Sequence, residues 1–326
     1  MSKMSTDLVR HVLSGATMGT RWSAQFFARH DVAAQVVERA LQAAVAEVDA
    51  QMSTWNAGSD LMRLNAAPIG LWCPVPERMF AVLELGLAIG AASGGAFDIG
   101  MGDAVTAWGF GAEAASAAAI RVAMAGPVRA AGALELDAGR VRKSAAVTLD
   151  LNGIAKGYGT DRLAEVLMDF GVRDALVGID GEMRALGAKP DGTAWSVAVE
   201  APEIARRAAH SVLVLQDAAV ATSGDYRHWV EVAGQRLSHT MDPVRGAPLQ
   251  RPPASVSVIA RSCAEADAWA SALMVLGPHA GAEVVRRHGL SALFLLREAS
   301  PEATGGVSAL GIGALFEAQV AADETI

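Results

Sequence analysis

Three short stretches of this 326-residue chain carry side chains suited to holding an anion and a hard cation. The first is "LDLNGIAKGYGTDRL", residues 149–163, where the apolar lead Val147-Thr148-Leu149-Asp150-Leu151 runs into small residues and one lysine before a predicted helix. Lys156 supplies a compact positive charge. Gly153 and Gly157 remove side chains that would keep a phosphate or a metal at a distance, and N–H groups at the helix start could face an anion. The plainer alternative is a strand-to-helix turn with a solvated lysine. In the second stretch, "CAEADAWASALMVLG", Asp267 and Ser271 stand four residues apart on one face of a predicted helix, where both oxygens could bind a hard cation. They could equally be a first-turn Asp facing the helix dipole and a small packing Ser. In the third, "SHTMDPVRG" (238–246), an Asp-Pro turn accounts for Asp242 and Pro243. It does not account for His239, which beside a phosphoryl centre could accept a hydroxyl proton or orient an acceptor.

The elements that must position these residues are legible as hydrophobic periods. A strand is predicted over 17–27 and an amphipathic helix over 31–52, with Asp31 as its N-cap. A second helix runs from Pro76-Glu77 to Gly94-Gly95. Residues 111–147 read as a short helix, a turn and two strands. The helix after Lys156 carries Leu163, Val166, Leu167 and Phe170 and ends at Gly171. Strands are predicted at 174–180, 183–188, 194–200 and 211–216, then a hairpin over 227–239 turning at Ala233-Gly234. A strand "ASVSVIA", helices at 263–276 and 278–288, and strands at 290–296 and 309–316 complete the chain. Helices and strands do not alternate regularly, which predicts an α+β protein.

Bulk properties narrow the function classes. The net charge is −8, against a nucleic-acid partner or an anionic membrane surface, yet compatible with a local basic pocket for a phosphorylated small molecule. Cys73 and Cys263 match no metal spacing and no disulfide framework. P-loop, Rossmann, HExxH and GxSxG patterns are all missing. The stretch "MFAVLELGLAIGAASGGAF" is interrupted by Glu84 and reads as a buried helix rather than a membrane span.

Six segments share one character, small residues beside isolated polar ones between apolar runs. They are "MGTRW" (18–22), "STWNAGSDLMRLN" (53–65), "GGAFDIGMGDAVTAWGFG" (94–111), the Lys156 stretch, "ATSGDYRHWVEVAGQRLSHTMDPVRGAPL" (221–249) and the Asp267 stretch. Their order and spacing closely resemble the ApbE family, the FAD:protein FMN transferases, over about residues 17–315. The run "SGDY…HTMDPVRG" is the most specific part. The resemblance implies a T-fold-like α+β architecture, with mixed or antiparallel sheets and packed helices around a flavin cleft. Residues 1–16 would be an N-terminal extension and 316–326 a tail. It further implies FAD as substrate, Mg²⁺ as cofactor, and transfer of FMN to a Thr or Ser hydroxyl of an acceptor flavoprotein, with release of AMP. Hydrolysis of FAD to FMN and AMP is the alternative within the same site, and FAD binding without chemistry is a third.

Residue by residue, the resemblance assigns the metal to the main-chain carbonyl of Gly153, to Asp267 and to Ser271, where the family usually has Thr. It places Met18, Trp55, Ala96, Phe97, Asp98, Asp150, Lys156 and Thr240 against FAD. His239 and Lys156 are the expected catalytic groups. Trp55 stands at a usually aromatic position, and a flat ring there suits stacking on isoalloxazine or adenine. Three departures stand out. Gly100 replaces a frequent Thr, Asp180-Gly181-Glu182 stands where Gly-Gly-Asp is common, and Val244-Arg245 stands for Arg-Thr. Many relatives are exported and lipid-anchored. This sequence shows neither leader nor lipobox cysteine, so a cytoplasmic protein is expected.

Overall fold

The computed structural model describes residues 8–111, 114–203, 208–226, 229–232, 235–298 and 306–316. It opens with a hairpin of β1 (Leu8–Thr17) and β2 (Thr20–Arg29), turning at Met18 (φ 46°) and Gly19 (φ 69°). Along β2 the residues Trp22, Ala24, Phe26 and Ala28 are buried in alternation. Residues 8–16, expected as an extension, are thus part of an edge strand. An edge has one strand neighbour and much solvent, so its hydrophobic alternation is weak in sequence.

Helix α1 (Ala34–Met52) buries Val37, Leu41, Val45, Val48 and Met52 on one stripe. Asp31 does not cap it. The N-cap is Ala33, and Asp31 pairs instead with Arg29, Nε to Oδ1 3.4 Å, in the preceding turn. After it come α2 (Asp60–Ala66), capped by Ser59, whose Oγ accepts the Met62 N–H at 3.1 Å, then β3 (Cys73–Pro74) and α3 (Glu77–Ala92). The Ala-rich middle holds α4 (Gly102–Ala107), α5 (Ala117–Ala125), α6 (Ala130–Ala133), β4 (Leu134–Asp137) and β5 (Arg140–Lys143).

Next are α7 (Ala155–Asp169), closed by Gly171 at φ 76°, and the hairpins β6 (Asp174–Ile179) with β7 (Glu182–Leu186) and β8 (Trp195–Glu200) with β9 (Ala209–Leu215). Strand β10 (Ala219–Gly224) has no strand signature in its Thr-Ser-Gly end. Pairing with β15 along the whole strand overrides that local turn chemistry. Strands β11 (Trp229–Val232) and β12 (Gln235–Ser238) form the expected hairpin, whose turn at 233–234 lies outside the described residues. Then come β13 (Met241–Asp242), β14 (Ala247–Pro248), β15 (Ser255–Ala260), α8 (Cys263–Arg287), β16 (Ser291–Arg297) and β17 (Val307–Ile312). The two helices predicted from 263 to 288 are the two halves of α8, separated at Gly277, whose backbone is non-helical (φ 69°), just before Pro278.

Eight strands form one antiparallel sheet in the order β1-β2-β6-β7-β10-β15-β16-β17. Its two faces bury different partners. On one, Trp22 and Phe26 pack with Leu41 of α1 and Leu163 and Leu167 of α7, while Val256, Val258 and Phe294 pack with Leu273 and Met274 of α8. On the other, Val220, Ile259, Leu293 and Leu295 pack with Trp195, Val199, Leu213 and Leu215 of the β8–β9 hairpin. Each such side chain contributes about 1.5–3 kcal/mol of burial. Among the described residues no helix is long and apolar enough to cross a membrane; α3 instead buries Met79, Val82, Leu83 and Ile89.

Candidate active site

Helices α7 and α8 are locked together at their N-terminal ends, and the site is built on that lock. Asp161 of α7 accepts the Cys263 N–H (2.8 Å) and the Ala264 N–H (2.9 Å), and pairs with Arg184 at 2.7 Å. These are two of the unpaired donors every helix start presents. Ser262 and Glu265 add a capping box. A Cβ on Gly157 would lie 2.3 Å from the Cys263 carbonyl oxygen and 2.8 Å from Asp267 Cβ, so only glycine permits this approach. The Gly157 N–H is thereby placed to donate to Asp267 Oδ2 at 3.0 Å. The sequence had offered that N–H to an anion; it anchors a carboxylate instead.

Beside this lock lies a cleft of about 1340 Å³, larger than the ~300–1,000 Å³ typical of small-molecule sites. Every residue the sequence assigned lines it. Gly153, Lys156, Asp267, Ser271 and Asp150 line it from the starts of α7 and α8, and Ala96, Phe97 and Asp98 come from the loop after α3. Met18 arrives from the β1–β2 turn, His239 and Thr240 from the segment before β13, and Trp55 from the loop after α1. Trp55 is 65% exposed, which leaves its ring free for a ligand. Its N–H and that of Asn56 are tied to Ser53 Oγ, both at 3.2 Å.

Several polar groups are already partly committed. Asp98 Oδ1 accepts from Gly100 N (2.8 Å) and Ala130 N (3.1 Å). A Cβ on Gly100 would stand 2.8 Å from that Ala130 nitrogen, which explains why no larger residue occupies the position. Asp150 accepts from Asn152 N (2.7 Å) and Nδ2 (3.1 Å); burial raises its pKa and these bonds oppose the rise. Asp242 accepts from the Val244 N–H at 2.8 Å and from Arg245, and its carbonyl accepts from Gly246, so it shapes the turn between β13 and β14.

The electrostatics are unusual for an anion site. Lys156 is the sole Lys or Arg among the described residues lining the cleft, against the carboxylates of Asp49, Asp98, Asp150, Asp180, Glu182, Glu200 and Asp267. Its Nζ lies 2.8 Å from Glu182 Oε1 and 3.9 Å from Asp180 Oδ2. Burial alone would lower the ammonium pKa; Glu182, Asp267 and Asp180 more than reverse this and hold it above the ordinary lysine value. Glu182 is 2% exposed, and its Oε2 is buried with no hydrogen-bond partner. Burial pushes its carboxyl pKa up, with Lys156 opposing. Asp267, also buried, is pushed up to about 7 by burial and by the charge of Glu182, against the pull of Lys156 and the Gly157 N–H.

These residues fit a divalent cation. A Cβ on Gly153 would be 3.1 Å from Ser271 Oγ and 3.2 Å from the Phe97 ring, so the backbone approaches the hydroxyl as only glycine allows. Ser271 Oγ is otherwise 3.2 Å from Ser223 Oγ. One carboxylate, one hydroxyl and a backbone carbonyl make an all-oxygen donor set. Among the described residues no group of three or more His, Cys, Asp or Glu converges on a point. An all-oxygen set with one carboxylate suits Mg²⁺, which takes one or two carboxylates and fills its octahedron with water and substrate phosphate.

Three lining residues had no role in the sequence reading. Glu182 pairs with Lys156 across 26 positions, Ser223 meets Ser271 across 48, and Phe110 meets the His239 ring edge-on at 6.5 Å and 64°. Only the polar pair inside "TSGD" offered a signal, for Ser223.

Comparison with known proteins places the fold and the family. The sequence model of the ApbE family matches residues 18–294. The FAD:protein FMN transferase of Klebsiella pneumoniae (strain 342) is 35% identical over 300 residues, covering 88% of this chain and 84% of that protein. The crystal structure of Pseudomonas stutzeri flavinyl transferase ApbE in its apo form superposes with a TM-score of 0.83 at 35% identity, covering 97% of this chain and 98% of the other. The flavin transferase ApbE from Vibrio cholerae gives 0.84 at 28% identity, covering 95% and 99%.

Proposed function

Because the chain belongs to the ApbE family, we propose that it transfers FMN from FAD to a Thr or Ser hydroxyl of an acceptor protein and releases AMP. The observation that carries this reading is the convergence of Gly153, Lys156, Asp267, Ser271 and His239 on one cleft. In the reaction the acceptor oxygen forms a bond to the phosphorus of the FMN half. The anhydride bond to the AMP phosphate breaks, and the hydroxyl proton goes to a base. Lys156 lies where its ammonium can offset charge on the pyrophosphate. His239, which lines the same cleft with the Phe110 ring edge-on to it, is the assigned base. Gly153, Asp267 and Ser271 would hold Mg²⁺, which when bound neutralises the pyrophosphate and stabilises charge growing on the leaving group.

Incubation with FAD, Mg²⁺ and a Thr-bearing acceptor should give an acid-stable fluorescent flavin on the acceptor, one FMN by mass. FMN and AMP appearing with no acceptor labelled would favour the hydrolase instead. His239→Ala is expected to lower the transfer rate about a hundredfold, the usual contribution of a positioned base, while FAD affinity stays within about twofold. A parallel loss of FAD affinity would place His239 in binding. Trp55→Ala is expected to weaken FAD binding about tenfold, measured by quenching of flavin fluorescence, with an unchanged melting temperature because the ring is exposed. Trp55→Phe should retain most of the affinity.

A further inference from the structure

Asp180 occupies a place that the fold explains and a charge that the fold does not. It is the first of two residues turning β6 into β7, between the paired residues Ile179 and Glu182, and its φ is 56°. Asp tolerates that left-handed backbone, but Asn does so equally and Gly more easily. The turn is held by the Asp180 N–H, which donates to the Arg21 carbonyl at 3.2 Å and uses no side chain. The carboxylate therefore contributes nothing the backbone requires.

Its surroundings say what it does. The side chain is 42% exposed and lines the cleft, 3.9 Å from Lys156 Nζ. Lys156 already has a partner in the buried Glu182 at 2.8 Å. Asp180 is thus a surplus negative charge, half-exposed beside the cleft's one described cation. Lys156, Glu182 and Asp180 alone sum to −1. A pyrophosphate approaching Lys156 without a cation meets net repulsion; accompanied by a divalent cation it does not.

We propose that Asp180 is a specificity residue that makes pyrophosphate binding at Lys156 conditional on a divalent cation, admitting the metal-complexed dinucleotide and disfavouring the free one. This rests on the reading of the cleft as an FAD site.

The test is equilibrium binding of FAD, and separately of ADP, by the full chain and by Asp180→Asn and Asp180→Gly, in EDTA and in saturating Mg²⁺. Both replacements suit the turn, so folding is preserved in at least one. In EDTA both variants should bind about three- to tenfold more tightly than the parent, a figure reduced for solvent screening at this half-exposed site. In Mg²⁺ the difference should fall below about twofold. Raising NaCl should narrow the gap in EDTA, which loss of a merely structural contact would not do. Unchanged or weaker metal-free binding in the variants, while the parent binds FAD with Mg²⁺, overturns the role of Asp180 alone. Failure of every form to bind FAD with or without Mg²⁺ overturns the cleft assignment together with it.

Discussion

Asp267→Ala is expected to lower Mg²⁺-dependent FMN transfer by about 10³-fold or more, because it removes the one carboxylate assigned to the cation. The replacement also removes the acceptor of the Gly157 N–H, so Asp267→Asn is the companion variant; its amide oxygen can keep that bond without the charge. A transfer rate within about tenfold of the parent in both variants would sink the assignment of the metal. The raised pKa of Asp267 gives a second readout. Its ordinary value is 3.8 and its value in the fold is about 7, so the folded state holds the proton more tightly than the unfolded chain. Stability from this group is fully present below about pH 4 and is lost as pH rises through about 7. The cation-free protein should therefore lose stability across that window, and Asp267→Asn should flatten the slope. Cation binding has the opposite sign, since the ion must displace the proton: apparent Mg²⁺ affinity should climb from pH 6 to 8. Added Mg²⁺ should accordingly raise the melting temperature more at pH 8 than at pH 6.

Lys156→Ala should damage stability and chemistry together, and a second substitution separates the two. Removal of the ammonium leaves Glu182, 2% exposed, with a buried charge and no counter-ion. Breaking a fully buried pair costs about 3–5 kcal/mol; Lys156 is about one-third exposed, so about 2–4 kcal/mol is expected, read from urea unfolding. Glu182→Gln in the Lys156→Ala background removes the stranded charge and should restore most of that stability. It should not restore transfer, which is expected to stay about a hundredfold or more below the parent, because no other described Lys or Arg lines the cleft. If the double variant regains activity, Lys156 serves only to neutralise Glu182. A single variant as stable as the parent would mean that the pair contributes nothing to the fold.

The sequence by itself determined the residue types of the site and most of the elements that carry them. The apolar stripe of α1, the Pro76 start of α3 and the Gly171 stop of α7 are short-range signals, written within a turn or two of the helix they define. The assigned residues lie on motifs of small and polar side chains that survive as local patterns. What the tertiary structure decided depends on groups far apart in the chain. Strand β10 exists because β7 and β15 flank it, and β1 is a strand because β2 accepts it, neither of which leaves a strong local period. Asp31 lost its cap role to a nearby arginine, and Gly100 is glycine because Ala130 presses on it from 30 positions away. The electrostatic character of Lys156 was settled by Glu182, and the partner of Asp267 by a Gly157 N–H 110 residues distant. Spacing along a chain specifies which oxygens and charges are available. Only the close packing of the α7 and α8 starts, possible because Gly157 has no side chain, brings Lys156, Asp267 and Ser271 into one cleft.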